Sequence, residues 1–488
     1  MTSRPHIHLA GKCLAAWLAV CFLLSLEQAT AGQVNHQNRL TPLTNSYVVI
    51  GDIHIDGNRI THPRIITREL LFTTNDTIEK NELDAKLTAS RSNLLNTGLF
   101  NFVAIDLLPD AVFREIVHVH ILLTERWYIW PIPIVEIAAR NFNEWWESRD
   151  FDRINYGIAV RVYNFRGHND NLDLLMRTGF DQNYRIRYLN NNINRRQTLG
   201  LGVGVSLMRG HEVAWGTVND RRSVVEDDNY LVESLTTNLT LFYRPRIHSI
   251  HSFWIQFNQH RFADTLFELN PVFFPGSRSP RFLSLGYEFR SDRRDLRYYP
   301  LNGHYISFML TKHGLSLGNN NSSGIWCAYG TFNVYLPLVP RWFFLAGTTI
   351  KASFPKQQPY IFQQSLGFGH DYVRGYEHYV IDGQHFALLR TNLKWELLPK
   401  RTIRMRFIPG DKFGRLHLAL YLGVHSDVGW VVNRLAGAAF NNKLPNTFLW
   451  GNGVGVDLVT YYDKVVRLEY SVNLKGDGRL FLHFLAPI

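Results

Sequence analysis

Gly369-His370-Asp371-Tyr372-Val373-Arg374-Gly375-Tyr376-Glu377 lies between two strand-like runs, 342–354 and 385–397. The run after it alternates strictly. Leu389, Thr391, Leu393, Trp395 and Leu397 fall on one face, and Arg390, Asn392, Lys394 and Glu396 on the other. The run at 415–429 alternates again, with Leu416, Leu418, Leu420, Leu422, Val424 and Val428 opposite His417, Tyr421, His425 and Asp427. Successive strand residues point to opposite faces. Glu396 and Asp427 therefore belong to the polar faces of their strands. If such a sheet closes in a membrane, the polar face is the lumen. A loop arginine folded into that lumen, Arg374, then has two carboxylates to meet. On its own, Arg374 reads more simply as an exposed loop residue beside a glycine turn.

Working outward, the first 31 residues read as a secretory signal. Arg4 and Lys12 precede an apolar run from Leu14 to Leu24, and Ala29-Thr30-Ala31 supplies a small-residue cleavage site. The run is too short to span a bilayer as a helix. Its removal takes away Arg4, Lys12 and Glu27 and lowers the formal net charge of +11 to +10. Cys13 and Cys21 leave with it, so Cys327 stands alone and no internal disulfide can form. No later segment offers 18 uninterrupted apolar residues, which argues against helical spans. Aromatic content of 14% with a mean hydropathy of −0.15 fits alternating barrel strands instead. The basic charges are interleaved along strands and loops rather than gathered in one stripe, which argues against nucleic acid.

Residues 32–45 read as a flexible polar lead, and 46–125 as a small α+β domain. Tyr47, Val49, Gly51, Ile53 and Ile55 alternate as a strand ending at Gly57-Asn58. Thr61-His62-Pro63 opens a helix through Ile65, Ile66, Leu70 and Leu71. A second helix runs from 79 to 96, with Leu83, Leu87, Ser90, Leu94 and Leu95 on one face, and Gly98 stops it. Strands at 100–108 and 116–124 complete a β-α-α-β-β order. From 128 to 488 there are only alternating segments broken by Gly, Asn, Asp and Pro, about 16 of them, the even number expected of a bacterial barrel. Short connections such as Pro337 to Arg341 fit periplasmic turns. Long ones at 211–230, 263–280, 315–324, 355–384 and 430–447 fit external loops. The expected fold is mainly β: a transmembrane antiparallel barrel at 128–488 behind one small domain.

Several patterns invite other chemistry. Gly314-Leu315-Ser316-Leu317-Gly318 fits a hydrolase elbow, but that chemistry needs a strand, a turn and a helix, and Asn319 to Gly324 reads as a loop. His118 and His120 share a strand face and could touch a metal, yet no third ligand stands near them. Gly200, Gly202 and Gly204 alternate within a strand and read as small residues on one barrel face. No catalytic residue, metal site or cofactor is expected.

The chain resembles the BamA/TamA family of outer-membrane barrels (bacterial surface antigen family). The β-α-α-β-β domain is similar to a POTRA module, with Gly98-Leu99-Phe100 at the family's G-L/Y-F place. Val373-Arg374-Gly375-Tyr376 matches the family's inward-folded loop. Ser426-Asp427-Val428-Gly429 is similar to its aromatic-x-Asp-x-Gly motif, with His425 where the aromatic stands. Asp292-Arg293-Arg294 followed by Pro300-Leu301-Asn302-Gly303 matches its D-x-R…P-x-x-G hairpin. The end departs from the family: the chain stops at Leu485-Ala486-Pro487-Ile488, with Phe481 and Phe484 upstream. The resemblance implies a non-enzymatic protein of a Gram-negative outer membrane, embedded in its lipid bilayer with the POTRA domain in the periplasm. It would insert or translocate protein clients received by that domain through added strands. It further implies that Arg374 pairs with Asp427, with Glu396 as a second or alternative partner. One POTRA unit leaves little surface for periplasmic accessory proteins, which favours a specialised or TamA-like role. The rivals are a two-partner-secretion pore for one substrate and, more remotely, a barrel enzyme such as a lipase.

Overall fold

The structure, a computed structural model, describes residues 47–113, 115–137, 153–316, 324–404, 415–435, 440–460 and 464–485. The signal and lead readings fall outside them. The first elements are β1 (Tyr47–Asp56), α1 (Pro63–Thr67), β2 (Thr77–Glu79), α2 (Lys80–Asn96), β3 (Phe100–Pro109) and β4 (Ile116–Glu125). They build a sheet in the order β2-β1-β4-β3, with β1 parallel to β4 and the other pairs antiparallel. Its inner face and the helices enclose Ile50, Ile66, Leu94, Phe100, Val119 and Ile121, all fully buried. Each such side chain contributes roughly 1.5–3 kcal/mol relative to exposure in water.

Two details differ from the expected order. The first helix ends at Thr67 instead of running through Leu71. Beyond it, Ser90 of α2 accepts a hydrogen bond from the Leu71 amide, which takes that donor away from a helical partner. A three-residue strand, β2, also precedes α2 and pairs Ile78 with Val48. Three residues carry too little alternation to be read as a strand.

The remainder is dominated by one antiparallel sheet of 16 strands. Its strands are β5 (Ile129–Ile137), β6 (Ile154–Val162), β7 (Asp170–Gly179), β8 (Gln182–Asn190) and β9 (Leu199–Gly210). After a separate hairpin, β10 (Glu212–Val218) and β11 (Arg221–Glu226), follow β12 (Val232–Arg246), β13 (Ser249–Phe262) and β14 (Arg281–Asp292). Then come β15 (Gly303–Ser316), β16 (Ile325–Val339), β17 (Trp342–Phe354), β18 (His385–Arg404) and β19 (Arg415–Val432). β20 (Phe448–Val459), β21 (Val465–Asn473) and β22 (Gly478–Leu485) close the series. Every strand pairs with the next in sequence, except that β9 skips the hairpin to pair with β12. The ends of the order, β5 and β22, share no pairing among the described residues. No described helix is long and apolar enough to cross a membrane, which says nothing of strands.

Alternation sorts the side chains by face. On β9, Leu201, Val203, Val205 and Leu207 are exposed outward, while Gly200, Gly202 and Gly204 lie between them on the inner face. On β22, Leu480, Leu482 and Phe484 are 66%, 56% and 75% exposed, an apolar surface suited to lipid tails rather than water.

The two ends differ. The segment 211–230, expected as a loop, contains the β10–β11 hairpin, and 263–280 contains α3 (Asp264–Leu269). Both pack with Tyr360 of the long β17–β18 loop around Leu266, Phe273, Phe274 and Phe282. These connections share one end of the sheet, and the β12–β13, β14–β15 and β16–β17 turns mark the other, the short-turn end. The small N-terminal domain docks at that short-turn end. Arg244 at the end of β12 reaches Glu69 through two hydrogen bonds of 2.7 and 2.8 Å. Asn96 at the end of α2 bonds the β14–β15 turn at Arg294 and Asp295 carbonyls and at the Arg297 amide.

Candidate functional site

The loop between β17 and β18 folds back against the inner faces of β18 to β21. Three local features let it do so. Gly375 has φ +92°, a left-handed conformation in which a side chain is strained. A Cβ on Gly429 of β19 would come within 2.5 Å of the Val373 side chain. A Cβ on Gly451 of β20 would stand 1.7 Å from the Arg374 carbonyl oxygen. Register pairs Asp427 with Gly451, so one rung of the wall offers a carboxylate beside an empty place for the loop backbone. Val373 and Tyr376 then pack with Leu366, Ile381, Phe386 and Leu449 in a buried apolar cluster.

Arg374 is 6% exposed and Asp427 fully buried. The guanidinium donates from Nε to Asp427 Oδ2 (2.7 Å) and from Nη2 to Oδ1 (2.6 Å). The Arg374 amide donates to the same Oδ2 at 3.2 Å, and Nη2 also reaches the Thr391 carbonyl at 3.1 Å. This two-point contact uses the planar fork of arginine. Arg390 on β18 supports the loop from below, donating from Nη2 to the Tyr372 carbonyl at 2.8 Å and to the His370 carbonyl. Asn473 at the end of β21 donates to the Gly375 carbonyl at 2.8 Å. Between loop and wall lies a cavity of about 360 Å³ lined by Asn333, Tyr335, Arg390, Asn392 and Lys394, among others.

Glu396 is not brought to Arg374. It lies five residues beyond Thr391 on β18, on the order of 16 Å along the strand. Its carboxylate accepts instead from Tyr421 Oη at 3.2 Å. Correct face parity did not give correct height. His425, on the same face as Asp427, is 3% exposed and bonds Ser471 at 3.1 Å.

At the level of Tyr421 stands a second buried group that the sequence reading missed. Asp457 on β20 accepts from Lys394 Nζ (2.8 Å), Arg467 Nε (2.6 Å) and Tyr299 Oη (2.8 Å). Lys394 Nζ also lies 3.9 Å from the Tyr299 ring centroid, a cation–π contact. Tyr299 comes from the β14–β15 turn, so this turn inserts a side chain into the lumen from the short-turn end. The shared polar face of Asp457 and Arg467, ten residues apart on paired strands, was the available signal.

The hairpin motif closes on itself. Arg294 meets both Asp292 oxygens at 2.7 and 2.8 Å and lies over the Tyr305 ring. Pro300 is half-buried in the same turn, and Gly303 has φ +102°, at a place where a Cβ would also collide with the Arg293 carbonyl. In the N-terminal domain Gly98 ends α2 with φ +76°, and Leu99 and Phe100 are core residues. His118 and His120 face different carboxylates, Asp110 (3.1 Å) and Asp56 (2.7 Å), and do not converge. Ser316 ends β15, and residues 317–323 of the elbow-like pattern lie outside the described ones.

A POTRA family model, described as surface antigen variable number repeat, matches residues 48–126. Comparison with curated proteins gives no match. Among solved structures, CdiB from Escherichia coli has a TM-score of 0.50 at 13% identity, covering 89% of this chain and 75% of that one. BamA from Haemophilus ducreyi lacking POTRA domains 1–3 has 0.49 at 13%, covering 90% and 84%. CdiB from Acinetobacter baumannii has 0.46 at 15%, covering 90% and 73%. Likeness at these identities speaks to fold. Residues 48–126 are thus a POTRA domain, joined to a 16-stranded antiparallel sheet whose fold is like that of CdiB from Escherichia coli.

Proposed function

We propose that the protein handles other polypeptides at a Gram-negative outer membrane, inserting them into it or moving them across it. The barrel lies in the bilayer and the POTRA domain in the periplasm, where it receives the client. One observation carries this reading: a POTRA domain is fastened to the mouth of a barrel whose lumen holds an ion-paired loop. A loop anchored in the lumen suits a gated path rather than a diffusion pore. The POTRA sheet ends in β3, an edge strand whose outer backbone groups beyond Phe102 can pair with an arriving extended segment. In this reading the Arg374–Asp427 pair anchors the loop at rest, and the terminal strands β5 and β22, which share no pairing among the described residues, let the sheet open sideways.

The test is deletion of residues 46–125 in the native cell, with the barrel checked for heat-modifiable migration. Outer-membrane and secreted proteins are then quantified against wild type. Loss of one or more integral outer-membrane proteins supports insertion. Loss of one exported protein alone assigns dedicated export. Unchanged levels of all of them refute client handling.

A further inference from the structure

Two carboxylates and an imidazole converge where the lumen loop meets the last two strands. Glu377 follows Val373-Arg374-Gly375-Tyr376 directly, Glu469 lies on β21, and His483 on β22. One ligand atom from each falls within 4.8 Å of the other two. Glu469 is 2% exposed, and its Oε1 lies 3.0 Å from His483 Nε2. Glu377 Oε2 accepts the Gly375 amide at 2.8 Å, while its Oε1 is sealed from solvent with no hydrogen-bond partner. A buried carboxylate oxygen without a partner is costly, and more so beside a second carboxylate. The nearby guanidiniums are already committed: Arg374 to Asp427, Arg467 to Asp457.

We propose that Glu377, Glu469 and His483 bind a divalent transition-metal cation, zinc being the best match, and that the ion staples the lumen loop to the terminal strand. An imidazole with two carboxylates suits zinc better than calcium or magnesium, which take oxygen ligands. Ligand atoms around a tetrahedral ion at ~2.0 Å stand ~3.3 Å apart, so the three side chains need close by only on the order of an ångström. A fourth position stays open to water. The stacked Tyr372 and Phe481 rings, 6.3 and 6.2 Å from the imidazole, hold His483 facing the cluster. The site stands whether or not the protein handles polypeptide clients. If it does, the ion adds a fastening between the loop and the strand that ends the sheet.

The test uses the untagged mature protein, POTRA domain included, folded in detergent and stripped with a chelator. Titration with zinc chloride is expected to show one saturable equivalent. Glu377→Gln and His483→Gln should each weaken it by at least about tenfold with unchanged heat-modifiable migration. With cobalt(II) in place of zinc, a visible ligand-field band should appear in the wild type and be lost in His483→Gln. With zinc a hundredfold above its Kd, amide exchange in 465–485 through openings that release the ion should slow by up to about 100-fold. Absence of saturable binding in the wild type overturns the proposal. So does a Glu377→Gln protein that binds zinc as tightly as the wild type, since the other histidines would then account for it. Should His483→Gln fail to fold, the Glu377→Gln titration and the wild-type cobalt spectrum still decide.

Discussion

Asp427 is buried completely, and among the described residues Arg374 alone offsets its charge at hydrogen-bond distance. Removing one partner of a buried pair costs more than the pair itself is worth, because the survivor keeps its desolvation penalty. Arg374→Ala is therefore expected to cost on the order of 3 kcal/mol in loop docking. Arg374→Lys should recover only part, since an ammonium cannot meet both oxygens of Asp427 as a flat fork does. The swap of Arg374→Asp with Asp427→Arg should bind the loop better than either single change. Disulfide trapping between cysteines placed at Tyr372 and Asn392 in each background reads the docked fraction, and a swap no better than the worse single variant refutes the coupling. Gly451 gives a sharper steric test: Gly451→Ala puts a methyl into the Arg374 carbonyl, so the loop should leave the wall while the barrel still folds. The direction of Asp427 was legible in strand parity. The height of Glu396 was not, because alternation reports faces and says nothing of how far along the wall a loop will settle. The need for Gly451 was hidden for a related reason, since a glycine in a strand does not announce which backbone will approach it.

At the scale of elements, the 16 strands were readable because each keeps one face apolar for the outside and one polar for the lumen. The β10–β11 hairpin was not, although Asn219-Asp220, with φ of 54° and 60°, is the residue type that two-residue hairpin turns require. A bulge between Ala214 and Gly216 breaks its period, and Arg221, Arg222 and Glu226 read as loop charge. This hairpin matters for the cover over the long-loop end. Its turn residue Asp220 accepts the Lys443 and Leu444 amides, and Thr217 meets Tyr360 of the lumen loop. Asp382 of that loop is packed in the same place, 8% exposed, with Oδ1 lacking a partner. Burial pushes its carboxyl up to about 7, against hydrogen bonding from Thr217 and attraction to Lys351, with Asp220 pushing the same way as burial. A folded-state value above the unfolded one means that protonated Asp382 favours the packed cover. That stability is fully present below the ordinary carboxylate range and is lost as the pH rises through about 7. Proteolysis within 355–384 is thus expected to quicken across that window in chelator-treated protein. Asp382→Asn should flatten the dependence, and an unchanged slope in that variant would assign it to another group.

Across the whole molecule, the POTRA domain and the barrel are joined by contacts between residues far apart in sequence, which no local pattern could reveal. Glu69 carries no motif in the sequence, yet it is 2% exposed and holds Arg244, whose guanidinium also donates to the Ile247 carbonyl at 2.7 Å. Arg68 beside it bonds Asn192 and the Arg244 carbonyl. Buried Glu125 accepts from Thr61, which in turn takes a hydrogen bond from Asn164 of the β6–β7 turn. Asn96 grips the β14–β15 turn, and the same turn sends Tyr299 into the lumen to Asp457. A movement of the POTRA domain thus has a continuous packed route to the strands that carry the lumen loop. Spatial continuity alone does not establish coupling, so the joint must be perturbed and the lumen watched. Glu69→Ala leaves Arg244 facing the POTRA domain without its carboxylate and should loosen the joint. Spin labels on exposed sites of α2 and of the β16–β17 turn should give a broader distance distribution than in wild type. Glu69→Ala with Arg244→Ala should be milder than Glu69→Ala alone, because the guanidinium left without its carboxylate at position 244 is removed too. If the route is real, Glu69→Ala should also lower the trapped fraction of the lumen loop, whereas Asn192→Ala, which removes one bond to Arg68 and one to the His168 carbonyl but no charge, should lower it less. A broadened POTRA distance with an unchanged lumen loop would show that the joint positions the domain and transmits nothing.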